Sequence, residues 1–216
     1  MNSDQTPRLD APDGEVPGLN RKDLDDDPIA QFLSWFDQAG SVSPMPEAMT
    51  LATVWGDGRP DARMVLLKEA DREGFRFFTH YEGPKADQIA GNAAAALVFH
   101  WPELHRQVRV RGTVGKLDAE ESDAYFASRD RASQIGAWAS PQSQVLKGGR
   151  DELEQYTART EAGFISEQEI ERPEHWGGYL LRPEEIEFWQ GRPARLHDRF
   201  LYRLDGDRWQ VDRLAP

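Results

Sequence analysis

Residues 200–214 read Phe-Leu-Tyr-Arg-Leu-Asp-Gly-Asp-Arg-Trp-Gln-Val-Asp-Arg-Leu. Two runs, Phe200 to Leu204 and Arg208 to Leu214, flank Asp205-Gly206, a dipeptide suited to a tight two-residue turn. Strands joined so briefly must run antiparallel. The segments before this hairpin are of the same kind. Tyr179 to Leu181 and Glu185 to Gln190 read as strand. Gln107 to Gly112 alternates strictly, with Val108 and Val110 on one face and Gln107, Arg109 and Arg111 on the other. Ala93 to Trp101 is a near-continuous apolar run, as expected of a strand buried on both faces. Gly74 to Thr79 carries Phe75, Phe77 and Phe78. Met49 to Trp55 and Pro60 to Leu67 flank the turn signal Gly56-Asp57-Gly58.

Helices are few and separated. Pro28 suits a first helical turn, Ile29, Phe32, Leu33 and Phe36 follow at helical spacing, and Gly40 ends the run. Asp118 to Ser128 is helical, with Asp118 and Glu121 at capping-box spacing and Tyr125 and Phe126 on the apolar side. Arg150 to Glu161 is a further helix. The count, about seven strands following one another directly, predicts a mainly β chain with flanking helices (α+β) and an antiparallel, barrel-like sheet. No Gly-x-Gly-x-x-Gly loop follows a first strand, so a Rossmann dinucleotide site has no support. Residues 1–27 read as a polar, mobile arm and residues 28–216 as one domain.

Composition narrows the chemistry. With no cysteine, disulfides, thiolate metal sites and cysteine nucleophiles are excluded. The five histidines form no His-x-x-x-His pair, and no metal is expected. A net charge of −12 repels nucleic acid. There is no apolar run of about 18 residues. The acidic N-terminal stretch lacks the pattern of a secretory signal, so the expectation is a soluble, cytoplasmic protein.

Four stretches are candidates for binding or catalysis. Arg63-Met64-Val65-Leu66-Leu67-Lys68 places a cation at each end of an apolar strand. Arg63, Val65 and Leu67 share one face, and Met64, Leu66 and Lys68 the other. On spacing alone, terminal charges reaching solvent explain it best. Thr79 to Lys85 ends a strand in a turn, where a hydroxyl, backbone N–H groups and a lysine can cradle phosphate; most such turns are ordinary connections. Ser133 to Trp138, with Ser140 to Ser143, reads as a polar loop that either fixes a ligand or caps the neighbouring helix. The last stretch runs from Trp176-Gly177-Gly178-Tyr179 through Glu187-Phe188-Trp189-Gln190-Gly191 to Arg195-Leu196-His197-Asp198-Arg199. Arginines suit phosphate, histidine titrates near neutrality, and Trp189 offers a flat face to an aromatic ligand. A charged strand edge with internal salt bridges explains this stretch equally well.

In this order and spacing, the four stretches resemble the pyridoxamine 5′-phosphate oxidase family, from Asp27 to Pro216. Glu187 to Arg199 and the closing Asp212-Arg213-Leu214-Ala215-Pro216 are the most specific matches. The resemblance implies a split β-barrel and a homodimer with FMN at the interface. It assigns FMN contacts to Arg63, Met64, Val65, Leu66, Leu67, Lys68, Phe78, Thr79 and Lys85. Gln107, Gln142, Ser143, Trp189 and Arg199 complete that set, some of them from the second copy. Lys68, Tyr125, Arg129 and Ser133 match the group that holds the substrate phosphate. Arg195, Leu196 and His197 match the segment beside the substrate ring, with Arg195 and His197 as the catalytic pair. The implied activity is oxidation of pyridoxamine 5′-phosphate and pyridoxine 5′-phosphate by O2 to pyridoxal 5′-phosphate, with release of H2O2. The alternatives are a phenazine-type flavin oxidase or a non-catalytic split barrel binding FMN or pyridoxal phosphate. Two departures stand out. Pro84 occupies a position where the family commonly has arginine. The arm stretch Ala11 to Gly14 lacks the Arg and Tyr that often close over the site there, so either the lid is absent or another arm residue such as Arg21 or Lys22 does that work.

Overall fold

Alternating apolar residues become one curled antiparallel sheet in the computed structural model, which describes residues 18–166 and 168–216. In chain order the elements are α1 (Pro28–Gly40), β1 (Ala48–Val54), β2 (Pro60–Leu66), β3 (Glu69–Asp71) and β4 (Gly74–His80). Then come α2 (Pro84–Gly91), β5 (Ala94–Trp101), β6 (Arg106–Lys116), α3 (Ala119–Ala127), α4 (Arg131–Ala139) and α5 (Gly149–Gly163). β7 (Trp176–Gln190), β8 (Asp198–Asp205) and β9 (Arg208–Leu214) close the chain. The strand order is β2-β1-β5-β6-β7-β4-β3, with β8 added to β7 and β9 to β8.

β7 is where the sheet splits. Its first half pairs with β4, from Trp176 opposite His80 to Leu181 opposite Phe75. Its second half pairs with β8, from Glu185 opposite Arg203 to Gln190 opposite Asp198. β6 lines its other edge from Tyr179 to Gln190, with a register shift between Arg111 and Gly112. At that shift a Cβ on Gly112 would lie 1.9 Å from the Arg182 carbonyl oxygen, so the strands approach closer than any side chain permits.

The inner face is packed by α1. Asp27 caps the helix, its carboxylate accepting from the Ile29 N–H at 2.9 Å. Phe32 is fully buried, its ring 4.9 Å from both Phe75 and Phe99, and Trp35 packs edge-on against Phe188 at 5.2 Å. Burying each such ring stabilises the fold by roughly 1.5–3 kcal/mol. Of the expected arm, residues 1–17, including Ala11 to Gly14, lie outside the described residues. Residues 18–27 pack on the domain: Leu19 and Leu24 are buried, the Leu19 N–H donates to Asp198, and the Tyr202 hydroxyl donates to the Asp25 carbonyl. Arg21 is held by Asp26.

Several expectations are corrected. β5 is not buried on both faces: Leu97, Phe99 and Trp101 are buried, whereas Ala94 and His100 are exposed. Both faces are apolar in composition, but only one meets the core. Tyr179 to Leu181 and Glu185 to Gln190 are one continuous strand through Pro183, and β3 is an additional short strand. The last turn is Gly206-Asp207, with Gly206 at φ 59°. Asp118 precedes α3 without a side-chain cap, because Glu121 turns instead to Arg76, 3.4 Å from its Nε. The polar stretch Ser133 to Trp138 is not a loop but most of α4. Asp130 caps this helix through the Ser133 N–H at 2.9 Å, and Ile135 and Ala137 are buried in a cluster with Phe126 and Trp176.

Candidate active site

β2 ends the sheet, and at that edge a cavity of about 930 Å³ opens, bounded by β2, β4, the start of α2, α3, α4 and the segment after α4. Arg63, Met64, Val65, Leu66 and Lys68 all line it. Alternate residues of a strand face opposite ways, so both parities border the cavity because it wraps around an unpaired edge. Leu67 is the exception and is buried in the core. β4 contributes Phe78 and Thr79, and the turn into α2 contributes Pro84 and Lys85. Tyr125 on α3, Arg129 in the α3–α4 turn and Ser133 on α4 form the opposite wall, with Gln142 and Ser143 beyond α4. Ser143 holds a left-handed φ of 65°, a strained conformation for a side chain with a Cβ and one that recurs at binding sites.

Cations dominate this wall. Arg63 is braced by the Leu51 carbonyl (3.2 Å), Gln88 (2.9 Å) and Asp61 (2.7 Å), and also donates to Thr53. The Lys85 ammonium donates to the Gln142 side-chain oxygen. Burial, and then the nearby Arg63, lower the Lys85 pKa. Two cations held close in a half-buried site repel each other, which is tolerable where a polyanion binds. Pro84 opens α2, where its missing N–H costs nothing; the Ala86 and Asp87 N–H groups turn back to the Gly83 carbonyl at 3.0 and 3.1 Å, so the Lys85 ammonium is the cation this turn brings to the cavity. Across the cavity, burial also lowers the Arg129 pKa, and its Nη1 is buried with no hydrogen-bond partner among the described residues. A buried, unpaired guanidinium donor costs free energy unless an acceptor arrives. Lys68 lines the same cavity, its backbone N–H donating to the Arg76 carbonyl at 2.9 Å. This donor set, cations on two walls of one cavity, fits two phosphate groups, and three stacked aromatic rings (Phe78, Tyr125 and Trp176) line the same cavity. The site therefore fits FMN together with a phosphorylated ring substrate.

The remaining expected residues lie outside this cavity. Gln107, Trp189 and Arg199 sit side by side on β6, β7 and β8, in register and hence on one face. Glu187, buried beneath them, accepts from Arg199 Nε at 2.8 Å and from Arg109 at 3.1 Å. Arg199 also donates to the Ala215 carbonyl at 3.0 Å. The His197 ring lies 4.5 Å from Trp189, and its Nδ1 accepts from the Arg192 N–H at 3.1 Å. With Nδ1 accepting that bond, Nε2 is the ring nitrogen left to donate. Ala194 and Arg195 adopt left-handed φ values of 55° and 61°, and Arg195 and Leu196 are exposed. These residues thus lie apart from the concave cavity, on a flat face of the sheet formed by β6, β7, β8 and the segment before β8. Asp61, Ala62, Ser128, Asp130 and Trp176 also line the cavity without having been singled out as contacts. Asp130 was detectable as a helix cap before Ser133; the others carry no signal of their own.

Residues 37–169 match the family model described as pyridoxamine 5′-phosphate oxidase. Residues 176–216 match the pyridoxine 5′-phosphate oxidase C-terminal dimerisation region. The chain is 54% identical over 200 residues to the pyridoxine/pyridoxamine 5′-phosphate oxidase of Cupriavidus pinatubonensis, covering 92% of this chain and 93% of the relative. It is 54% identical over 202 residues to the enzyme of the same description from Salinibacter ruber, with the same coverage. Among solved structures, PhzG from Burkholderia lata, in complex with tetrahydrophenazine-1-carboxylic acid, superimposes with a TM-score of 0.86 at 30% identity, covering 94% of this chain and 100% of that one. A pyridoxamine 5′-phosphate oxidase-related, FMN binding protein from Nostoc punctiforme shares the fold at a TM-score of 0.69 and 20% identity, over 88% and 98% of the two chains.

Proposed function

The chain belongs to the pyridoxamine 5′-phosphate oxidase family, and from that membership we propose how its residues divide the work. The protein is an FMN-dependent oxidase of pyridoxine 5′-phosphate and pyridoxamine 5′-phosphate. The alcohol and one O2 give pyridoxal 5′-phosphate and H2O2; the amine consumes a water as well and releases ammonia. FMN, when bound, supplies the two-electron acceptor between substrate and oxygen.

The protein's own task is holding and orienting. Arg63 and Lys85, the latter at the start of α2, hold the FMN phosphate despite Pro84. Lys68, Tyr125, Arg129 and Ser133 hold the substrate phosphate; the unpaired Arg129 Nη1 is the observation that carries this reading. Arg195 covers the substrate ring and favours negative charge developing on it. His197 presents its Nε2 proton there. The protein is a homodimer. The flat half-site of one copy, with Gln107, Trp189, Arg199, Arg195 and His197, closes the cavity of the other, which places FMN at the interface. No helix among the described residues is long and apolar enough to cross a membrane.

A phenazine-type substrate is the weaker reading. PhzG is related at 30% identity, against 54% for the B6 oxidases, and four phosphate-suited side chains line this cavity. The test is to add pyridoxine 5′-phosphate, then pyridoxamine 5′-phosphate, to FMN-loaded protein. One pyridoxal 5′-phosphate and one peroxide are expected per turnover. Bound flavin with neither product would overturn the reading.

A further inference from the structure

Of the two arginines lining the cavity, Arg129 has a guanidinium nitrogen, Nη1, that is buried with no hydrogen-bond partner among the described residues. Arg63, by contrast, is tied to Asp61. What holds Arg129 is a ring: its Cζ lies 4.7 Å from the centroid of the Trp176 indole and 5.8 Å from Phe126. The nearest carboxylate in sequence, Asp130, is committed to capping α4.

We infer that Trp176 is a positioning residue for the substrate phosphate, its indole face holding the Arg129 guanidinium in the cavity wall with the N–H edge free. The chemistry favours a ring over a carboxylate here. A carboxylate would occupy the guanidinium's donors and cancel its charge, so a phosphate would have to compete for them. A π face attracts the cation through its quadrupole and takes no N–H edge. The indole is itself fixed. Trp176 is 5% exposed and begins β7 opposite His80. Its carbonyl accepts from Arg172 at 2.6 Å, and its ring is parallel to Tyr125 within 5° at 6.2 Å, with Phe78 stacked beside both, 3.8 Å from Tyr125 and 5.6 Å from Trp176. One rigid aromatic pile therefore sets both the wall of the cavity and the plane of its key cation.

This inference rests on Arg129 serving as a substrate-phosphate ligand, and the experiment separates the two. Steady-state kinetics with pyridoxine 5′-phosphate and FMN affinity are measured for Trp176→Leu, Trp176→Phe, Arg129→Met and the Trp176→Leu/Arg129→Met pair. Trp176→Leu is expected to raise KM about tenfold with kcat and FMN affinity little changed. Trp176→Phe should recover most of the loss, and the double variant should be no worse than Arg129→Met alone. An unchanged KM in Trp176→Leu, or full additivity in the double variant, overturns the positioning role while leaving Arg129 as a ligand. An unchanged KM in Arg129→Met overturns the ligand assignment itself and the inference with it. If Trp176→Leu does not fold, Trp176→Phe decides: its weaker quadrupole should raise KM about threefold, and no change counts against the role.

Discussion

His80 closes the active-site strand β4 immediately after Thr79, and its imidazole stacks on that of His175 with centroids 5.0 Å apart. Burial, and then His175, Lys85 and Arg129, push its pKa down to about 4 from the ordinary 6.5. Between those two values the unfolded chain holds a proton that the folded chain does not. Stability from this residue is therefore complete above about pH 6.5 and is lost as pH falls towards 4, by up to about 3 kcal/mol. His80→Asn, which does not titrate, should flatten the urea-unfolding stability across that window; an unaltered slope would assign the acid sensitivity elsewhere. At this scale the sequence was a good guide where a side chain's chemistry is its role. Lys68, Lys85, Arg129 and Ser133 were singled out and do meet in one cavity. It was a poor guide where a role depends on a neighbour. Trp176 was noticed as part of a motif, but nothing in its identity says that an arginine will lie across its face.

Strands were legible because burial of one face enforces a period of two, as in Val108 and Val110. α4 was not, because Ser133 and Gly136 are weak helix formers in isolation, and packing of Ile135 and Ala137 against Phe126 and Trp176 favours the helix. Also unread was the division of β7 between two partners, which depends on glycines whose purpose appears only in three dimensions. A Cβ at Gly112 would meet the Arg182 carbonyl, and one at Gly74, where φ is 139°, would lie 2.0 Å from that of Leu181. Gly112→Ala should therefore cost about 1–3 kcal/mol through forced strand displacement. It should lower the denaturation midpoint with an unchanged m-value. A midpoint equal to that of the parent would show that the split yields without strain.

Across the whole molecule, the proposed pairing of one copy's concave cavity with the other copy's flat face would make catalysis a property of the pair of chains. Arg129→Met disables the concave part and Arg195→Leu the flat part. Assayed well below the parental KM, each should retain little activity alone. In a mixed dimer one site collects both changes and the other collects neither, so random mixing should restore about a quarter of the parental activity. No recovery on mixing would place the complete site within one chain. The charge distribution carries a further consequence. A chain of net charge −12 keeps Arg63, Lys68, Lys85 and Arg129 together at a single recess. A doubly charged phosphate ester is repelled while it is distant and captured only within a Debye length of the mouth, about 8 Å at cellular salt. The surface therefore acts as a filter on traffic: it sheds polyanions too large to enter the recess, nucleic acids among them, and leaves the cations for small ones.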